Sequence, residues 1–143
     1  MKNTLPMASA IPLEINEIKL NKIIEYSNLT GLSNNVKWNK LITYMRNSND
    51  WVPSYRYKWI NGYISEWDVE WYYHLPFPFK GVLWFDIGYN QNLHIGRLVK
   101  DKIIDHSKQL IDIIESIGFV YEKSDDFIRI FGYSPKDYES YNN

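Results

Sequence analysis

The chain has 143 residues, of which 45% are hydrophobic and 17% aromatic, with 16 Lys and Arg, 17 Asp and Glu, and no cysteine. This composition predicts one compact domain, because large aromatic side chains supply ample apolar surface to bury. The absence of cysteine excludes disulfides, zinc sites with thiolate ligands, iron–sulfur clusters and cysteine nucleophiles.

The N-terminal residues 1–14 contain two prolines and no clear periodicity, so we expect a tail or an extended lead-in. The triplet Ala8-Ser9-Ala10 resembles a signal-peptide cleavage site, but the apolar stretch before it is too short for a signal peptide. No apolar run approaches the roughly 20 residues that cross a bilayer. We therefore expect a cytoplasmic protein without a membrane partner.

Two helices are predicted before residue 50. The first covers 15–27, where apolar residues recur at an imperfect helical spacing, and Thr30-Gly31 follows it. The second begins at Ser33 or Asn34, since either side chain can cap a helix. One face of the second helix carries its apolar residues, Trp38, Leu41, Ile42 and Met45.

From Tyr55 the hydrophobic period changes to two, which predicts three strands, at 55–60, 63–74 and 81–89. A three-residue loop of Ile60, Asn61 and Gly62 joins the first two strands, with Gly62 in the left-handed conformation as a bulge. In this register, the aromatic residues of the first strand share a face with those of the second. That shared face carries Tyr55, Tyr57, Trp59, Tyr63, Trp67, Val69 and Trp71.

The strongest helical stripe runs over 103–117, and Gly118 follows it as a C-cap glycine. This helix should cover the sheet. A final hairpin of 119–123 and 127–133 turns at Ser124-Asp125-Asp126, and Pro135 ends the regular structure.

The element order is therefore α-α-β-β-β-α-β-β, and the expected fold class is α+β. A largely antiparallel sheet, made of a three-stranded meander plus the C-terminal hairpin, should pack against the helices. We expect a single domain over 15–135, with tails at 1–14 and 136–143.

The segment 61–74 concentrates acidic residues and a histidine on one side of its predicted strand. Carboxylate and imidazole side chains can bind Mg²⁺, Mn²⁺ or Zn²⁺. The candidate ligands are Glu66, Asp68, Glu70 and His74, with Asp86 from the next strand. A metal-dependent hydrolase or nuclease is therefore one hypothesis. Neighbours along one strand face are about 6.5–7 Å apart, however, so they seldom converge on one ion. A solvated acidic face paired with the neighbouring basic strand is a simpler interpretation.

A partner-binding surface is the other hypothesis, because aromatic side chains among charges are typical of protein recognition. Acidic residues outnumber basic ones over 101–143, whereas basic residues prevail over 1–60. An acidic surface favours a basic partner. No catalytic residue, metal ligand or cofactor is assigned. The predicted partner-binding residues are Glu66, Asp68, Glu70, Tyr72, Trp84, Asp86, Asp125 and Asp126.

Other kinds of site have little support in the sequence. His74, His94 and His106 lack the spacing of a metal triad, and neither a nucleophile elbow nor a glycine-rich phosphate loop occurs. A net charge of −1 argues against direct nucleic-acid binding. Paired carboxylates suited to glycoside chemistry stay open, because only their separation in space decides between the possibilities.

The segment N-G-Y-I-S-E-W-D-V-E-W-Y-Y-H, preceded by W-N-K-L and followed by F-I-R-I-F-G-Y, resembles a family of small uncharacterised bacterial proteins. The resemblance covers about residues 33–135, and the first thirty residues do not obviously match. Genes of such proteins occur near polymorphic and contact-dependent toxins. The resemblance therefore implies a cytoplasmic immunity protein that binds and neutralises a cognate toxin, and it implies no catalytic residues.

Overall fold

A computed structural model describes residues 17–142, which form three helices and eight strands. The expected lead-in at 1–14 lies outside the described residues. The helices are α1 (Glu17–Tyr26), α2 (Asn35–Arg46) and α3 (Ser107–Ile117). The strands are β1 (Thr30–Gly31), β2 (Tyr55–Trp59), β3 (Val82–Gly88), β4 (Asn90–Leu93), β5 (Lys102–Asp105), β6 (Tyr121–Lys123), β7 (Phe127–Phe131) and β8 (Tyr133–Ser134).

The central sheet contains four antiparallel strands in the order β2-β3-β7-β6. Two short sheets accompany it, one of β1 with β8 and one of β4 with β5. Helices and antiparallel sheets together confirm the α+β class. None of the helices in residues 17–142 has the length and apolar character needed to cross a bilayer.

The helices pack on one face of the central sheet and form the core with it. Trp38 of α2 contacts the rings of Phe79, Phe85 and Phe119 at centroid distances of 5.0, 5.7 and 5.0 Å. All four predicted apolar residues of α2 are buried. Helix α3 adds Leu110 and Ile114, while β3 and β7 contribute alternate residues to the same buried cluster.

Local capping signals confirm several predicted boundaries. The Asn34 side chain accepts a hydrogen bond from the Lys37 amide at 3.0 Å and so caps α2. Gly118 ends α3 with φ +99°, a left-handed conformation that glycine adopts without a Cβ clash. Gly62 also has φ +99°, and the Trp59 amide donates to the Tyr63 carbonyl at 2.7 Å. The predicted three-residue loop of Ile60, Asn61 and Gly62 is therefore confirmed.

The predicted strand over 63–74 is wrong. The backbone of this segment pairs with β2 at two isolated bridges, Lys58 with Ile64 and Tyr55 with Asp68, and forms no continuous ladder there. Strand β2 pairs along its length with β3 instead, so the expected three-stranded meander does not form. The predicted aromatic face is buried on β2 and at Trp71, but it does not continue along the segment, because Trp67 and Val69 are 42% and 62% exposed.

The predicted helix over 103–117 begins four residues later than expected, at Ser107. Ile103 and Ile104 lie in β5, where they pair with Asn92 and Gln91 of β4. The Asp105 carboxylate accepts a hydrogen bond from the Ser107 amide at 2.7 Å and marks the start of the helical backbone. The element order therefore contains an extra hairpin before α3.

The C-terminal segment lies across the second face of the sheet, opposite the helices. We call residues 135–142 the C-terminal strap. Its residue Tyr138 packs edge-on against Phe131, and Tyr141 packs edge-on against Phe127. Both faces of the central sheet are consequently covered.

Candidate partner-binding surface

The segment that the sequence singles out forms an ordered but irregular loop beside β2. We call residues 63–74 the aromatic–acidic loop. At its start, the Ser65 hydroxyl accepts a hydrogen bond from the Tyr57 amide at 3.0 Å. Further along, Tyr55 and Asp68 exchange two backbone hydrogen bonds of 2.8 and 2.9 Å. The edge of β2 therefore holds the first half of the loop.

The second half of the loop is held by a buried tryptophan and by α2. Trp71 is 3% exposed, and its indole donates to the Pro53 carbonyl at 2.9 Å. The Tyr55 hydroxyl donates to the Glu70 carbonyl at 2.6 Å. Arg46 of α2 donates to the Trp71 carbonyl at 2.8 Å, and its guanidinium lies 4.5 Å from the Tyr72 ring centroid.

Two of the predicted acidic residues bind the loop's own backbone. Asp68 Oδ1 accepts hydrogen bonds from the amides of Val69 and Glu70, at 2.7 and 3.0 Å. Glu70 Oε1 accepts hydrogen bonds from three successive amides, at 3.1, 2.6 and 2.9 Å. Those three amides belong to Tyr72, Tyr73 and His74. Here side-chain oxygens replace the partner strand that a regular ladder would need.

These hydrogen bonds also govern the ionisation of the two carboxyl groups. Burial alone would raise the pKa of Asp68, but hydrogen bonds from the Glu70 amide, the His74 ring and the Val69 amide outweigh it. The pKa of Glu70 is likewise lowered, because the three amide donors outweigh its desolvation. Both residues are therefore held as carboxylates that stabilise the loop.

The anchored loop exposes a set of apolar side chains with an acidic residue among them. Glu66 is exposed, and its carboxylate makes no hydrogen bond or ion pair within residues 17–142. Val69 and Tyr73 are 62% and 60% exposed. Tyr72 and Trp67 are 45% and 42% exposed, so each presents part of its ring to solvent. The predicted residues Glu66 and Tyr72 are thus both accessible to a partner.

The predicted acidic turn between β6 and β7 adjoins this surface. Asp125 and Asp126 are both exposed. Asp126 and Trp67 line the same shallow cavity, of about 340 Å³. The Trp67 ring also lies 6.0 Å from the Phe127 ring, which immediately follows the turn. The acidic turn and the aromatic–acidic loop therefore form one continuous candidate surface.

The remaining two predicted residues, Trp84 and Asp86, do not belong to a partner surface. Both have 0% exposure, because the C-terminal strap covers the face of β3 that carries them. Asp86 accepts two hydrogen bonds from Arg129, at 2.7 and 2.9 Å, and one from Arg56 at 2.9 Å. The same two arginines donate to strap carbonyls. The alternation of β3 was predicted correctly, but the layer over its polar face was not.

The five residues of the metal hypothesis are not brought together. Asp68 and His74 contact each other, with Oδ2 and Nδ1 2.7 Å apart, whereas Asp86 is enclosed by arginines. Within residues 17–142, no group of three or more His, Asp and Glu side chains has a spacing that could hold a metal ion.

Three exposed residues of this surface, Trp67, Val69 and Tyr73, were missed by the sequence prediction. Alternation placed Trp67 and Val69 on a buried face. The signal that could have found them is Asp68, because the short carboxylate of Asp competes for nearby backbone amides and favours turns over strands.

Comparison with known proteins identifies a family but no function. Residues 20–137 match a family of unknown function, DUF6678, so the chain belongs to that family. No curated protein and no solved structure is significantly similar to it.

Proposed function

We propose that this DUF6678 protein is a cytoplasmic immunity protein that binds and neutralises a cognate bacterial toxin. The aromatic–acidic loop, with the adjoining turn at Asp125 and Asp126, is the proposed contact surface. The observation that carries the proposal is the loop's set of exposed aromatic side chains and its exposed acid Glu66, presented on a backbone anchored at both ends.

An anchored loop is suited to tight inhibition. A loop that is ordered before binding loses little conformational entropy when a partner docks. Tyrosine and tryptophan are the side chains that most often supply binding energy in protein interfaces. Trp67, Tyr72 and Tyr73 meet this requirement, since each exposes between 42% and 60% of its surface.

The charges favour a basic partner, such as a nuclease-type toxin whose cleft binds nucleic acid. Glu66, Asp125 and Asp126 are exposed acids, and Asp126 lines the same cavity as Trp67 of the loop. Opposite charges on two partners raise the association rate and disfavour wrong partners. Neutralisation would then require only stoichiometric binding over the toxin's cleft.

The test uses the toxin domain encoded beside the gene, or the domain that co-purifies from the native strain. We expect a stoichiometric complex in isothermal titration calorimetry and protection of cells that express the toxin. Glu66→Lys and Tyr73→Ala should each weaken binding by about 2 kcal/mol, close to thirtyfold. Both side chains are exposed, so neither change should alter the melting temperature.

Two control variants make the same kinds of substitution at exposed positions outside the proposed contact surface. Asp112→Lys on α3 makes the same charge change as Glu66→Lys, and Tyr26→Ala on α1 removes an aromatic ring that is 92% exposed. Both controls should bind like the wild type. Equal weakening by test and control variants would contradict this surface, and absence of both toxin binding and cell protection would contradict the immunity function.

A further inference from the structure

The β4–β5 hairpin carries a second exposed apolar cluster, separate from the proposed toxin surface. Its tip, residues 94–101, joins two strands of four residues each. Leu98 is 100% exposed, and Ile95 and Val99 are 57% and 55% exposed. Ile103, on β5, is 64% exposed. Four aliphatic side chains in one short segment thus face solvent.

Within the described residues, the hairpin forms a two-stranded sheet of its own that does not join the central sheet. His94 and Asp101 close the tip, with Nδ1 and Oδ1 3.0 Å apart. Strands of four residues, at about 3.3 Å per residue, extend about 13 Å. A tip whose Leu98 side chain is 100% exposed can enter the depth of about 5–10 Å that interfacial segments reach in a bilayer.

Positive charges surround the aliphatic cluster. Arg97, Lys100 and Lys102 are exposed, and none of them makes an ion pair within residues 17–142. Segment 94–102 contains three basic residues, Arg97, Lys100 and Lys102, and one acidic residue, Asp101. The whole chain, in contrast, has a net charge of −1.

We propose that the β4–β5 tip is a peripheral binding site for anionic lipid surfaces. Aliphatic side chains interleaved with Lys and Arg are the chemistry of interfacial membrane contact, because the cations meet phosphate headgroups while the apolar groups enter the acyl boundary. An exposed tip needs no preformed groove when its partner is a deformable bilayer. The proposal departs from the sequence expectation of no membrane partner, and it does not rest on the proposed immunity function.

The test is co-sedimentation of the full chain with lipid vesicles. We expect about tenfold more binding to phosphatidylglycerol-containing vesicles than to phosphatidylcholine alone, since the surface attraction depends on anionic lipid. The double variant Leu98→Ser, Val99→Ser should lose this binding, and so should Arg97→Glu with Lys100→Glu. The matched controls are Val36→Ser on α2, which is 62% exposed, and Lys108→Glu on α3, and both should bind like the wild type.

Soluble glycerol phosphate distinguishes a bilayer from a simple phosphate site. Excess glycerol phosphate should not displace the chain from vesicles, whereas displacement would show a headgroup site and overturn membrane insertion of the tip. Equal binding to both vesicle types, or no binding to either, would also overturn the proposal. If the serine variant dissociates a dimer of the chain without changing vesicle binding, the tip is a protein contact instead.

Discussion

Asp86, Arg129 and Arg56 form a charged cluster inside the protein, and their geometry explains why burial is tolerated. Arg129 holds both oxygens of Asp86 and stacks on Trp84, with 3.5 Å between its guanidinium carbon and the ring centroid. Burial raises the pKa of Asp86, although hydrogen bonds from both arginines oppose that rise. Every strong contact of Asp86 is thus made inside the protein, which leaves no role for it in binding a partner.

Replacing Arg129 by Met should lower the free energy of unfolding by about 3–5 kcal/mol, because one partner of a buried ion pair is removed. The change also leaves the carbonyls of Asp137 and Glu139 without their donor. Urea unfolding measures the loss. Lys108→Met, at a position 92% exposed, should change stability by no more than about 0.5 kcal/mol. A loss below about 1 kcal/mol for Arg129→Met would show that the cluster contributes little to stability.

At the scale of elements, helix ends and the tight turn were predictable because their signals are local. Asn34 caps the start of α2 with its side chain, and Gly62 and Gly118 adopt the left-handed conformation at a turn and a helix end. All three residues have the roles that the sequence predicts. The hairpin of β6 and β7 was also predicted correctly, with its turn at Ser124-Asp125-Asp126.

The aromatic–acidic loop could not be predicted by alternation, because two arrangements satisfy its backbone amides. A strand would pair those amides with a neighbour, whereas here the Glu70 carboxylate takes three of them and Asp68 takes two. Strand β3 pairs with one edge of β2, and the loop lies along the other edge as an irregular segment. Whether the segment forms a strand or a loop depends on whether a neighbouring strand or its own carboxylates bind the backbone amides, and the spacing of residues does not decide this. The acidic residues of the site were therefore partly predicted, but their roles were not.

The loop should lose part of its stability in acid. The pKa of Glu70 in the folded protein lies below its ordinary value of 4.5, so its carboxylate stabilises the fold above that pH. This stabilisation is lost as the pH falls through the lowered pKa. Glu70→Gln, which retains an oxygen acceptor but no charge, should be less stable than wild type at about pH 7, and the difference in stability should be smaller at about pH 3. Urea unfolding at both pH values measures the difference.

Glu66→Gln is the matched control for the acid effect. The Glu66 carboxylate makes no hydrogen bond within residues 17–142, so its loss should leave the stability difference unchanged with pH. A constant difference between wild type and Glu70→Gln across the same range would show that the amide contacts do not depend on the charge.

At the scale of the whole molecule, the central sheet lies between two unlike layers. The helices cover one face with apolar side chains, whereas the C-terminal strap covers the other with backbone carbonyls, acidic residues and two tyrosine rings. Lys58 extends this second layer, with ion pairs to Asp137 and Glu139 of 2.7 and 2.6 Å. The strap is consequently part of the folded unit and the reason why charged residues occupy that face of the sheet.

Ending the chain after Pro135 should lower the free energy of unfolding by at least about 4 kcal/mol, because three charge-assisted hydrogen bonds of about 1.5 kcal/mol each are lost. These bonds join Arg56 and Arg129 to the carbonyls of Asp137, Glu139 and Ser140. Thermal and urea unfolding of the truncated chain measure the effect.

A variant of two strap side chains distinguishes the contribution of the strap's backbone carbonyls to stability from that of its charged side chains. Asp137→Asn with Glu139→Gln keeps the backbone contacts and removes only the ion pairs to Lys58, so it should cost at most about 2 kcal/mol. If this variant were as unstable as the truncated chain, the charges rather than the carbonyls would hold the strap.

The residues of the aromatic–acidic loop fall into two classes, in which substitutions can accumulate at different rates during evolution. Asp68, Glu70 and Trp71 hold the backbone by contacts within the protein, whereas Glu66 and Tyr73 project from it. Substitutions in the second class leave the scaffold intact. If the surface binds a partner as proposed, a lineage can change which partner it binds, one exposed position at a time, without having to evolve the fold again.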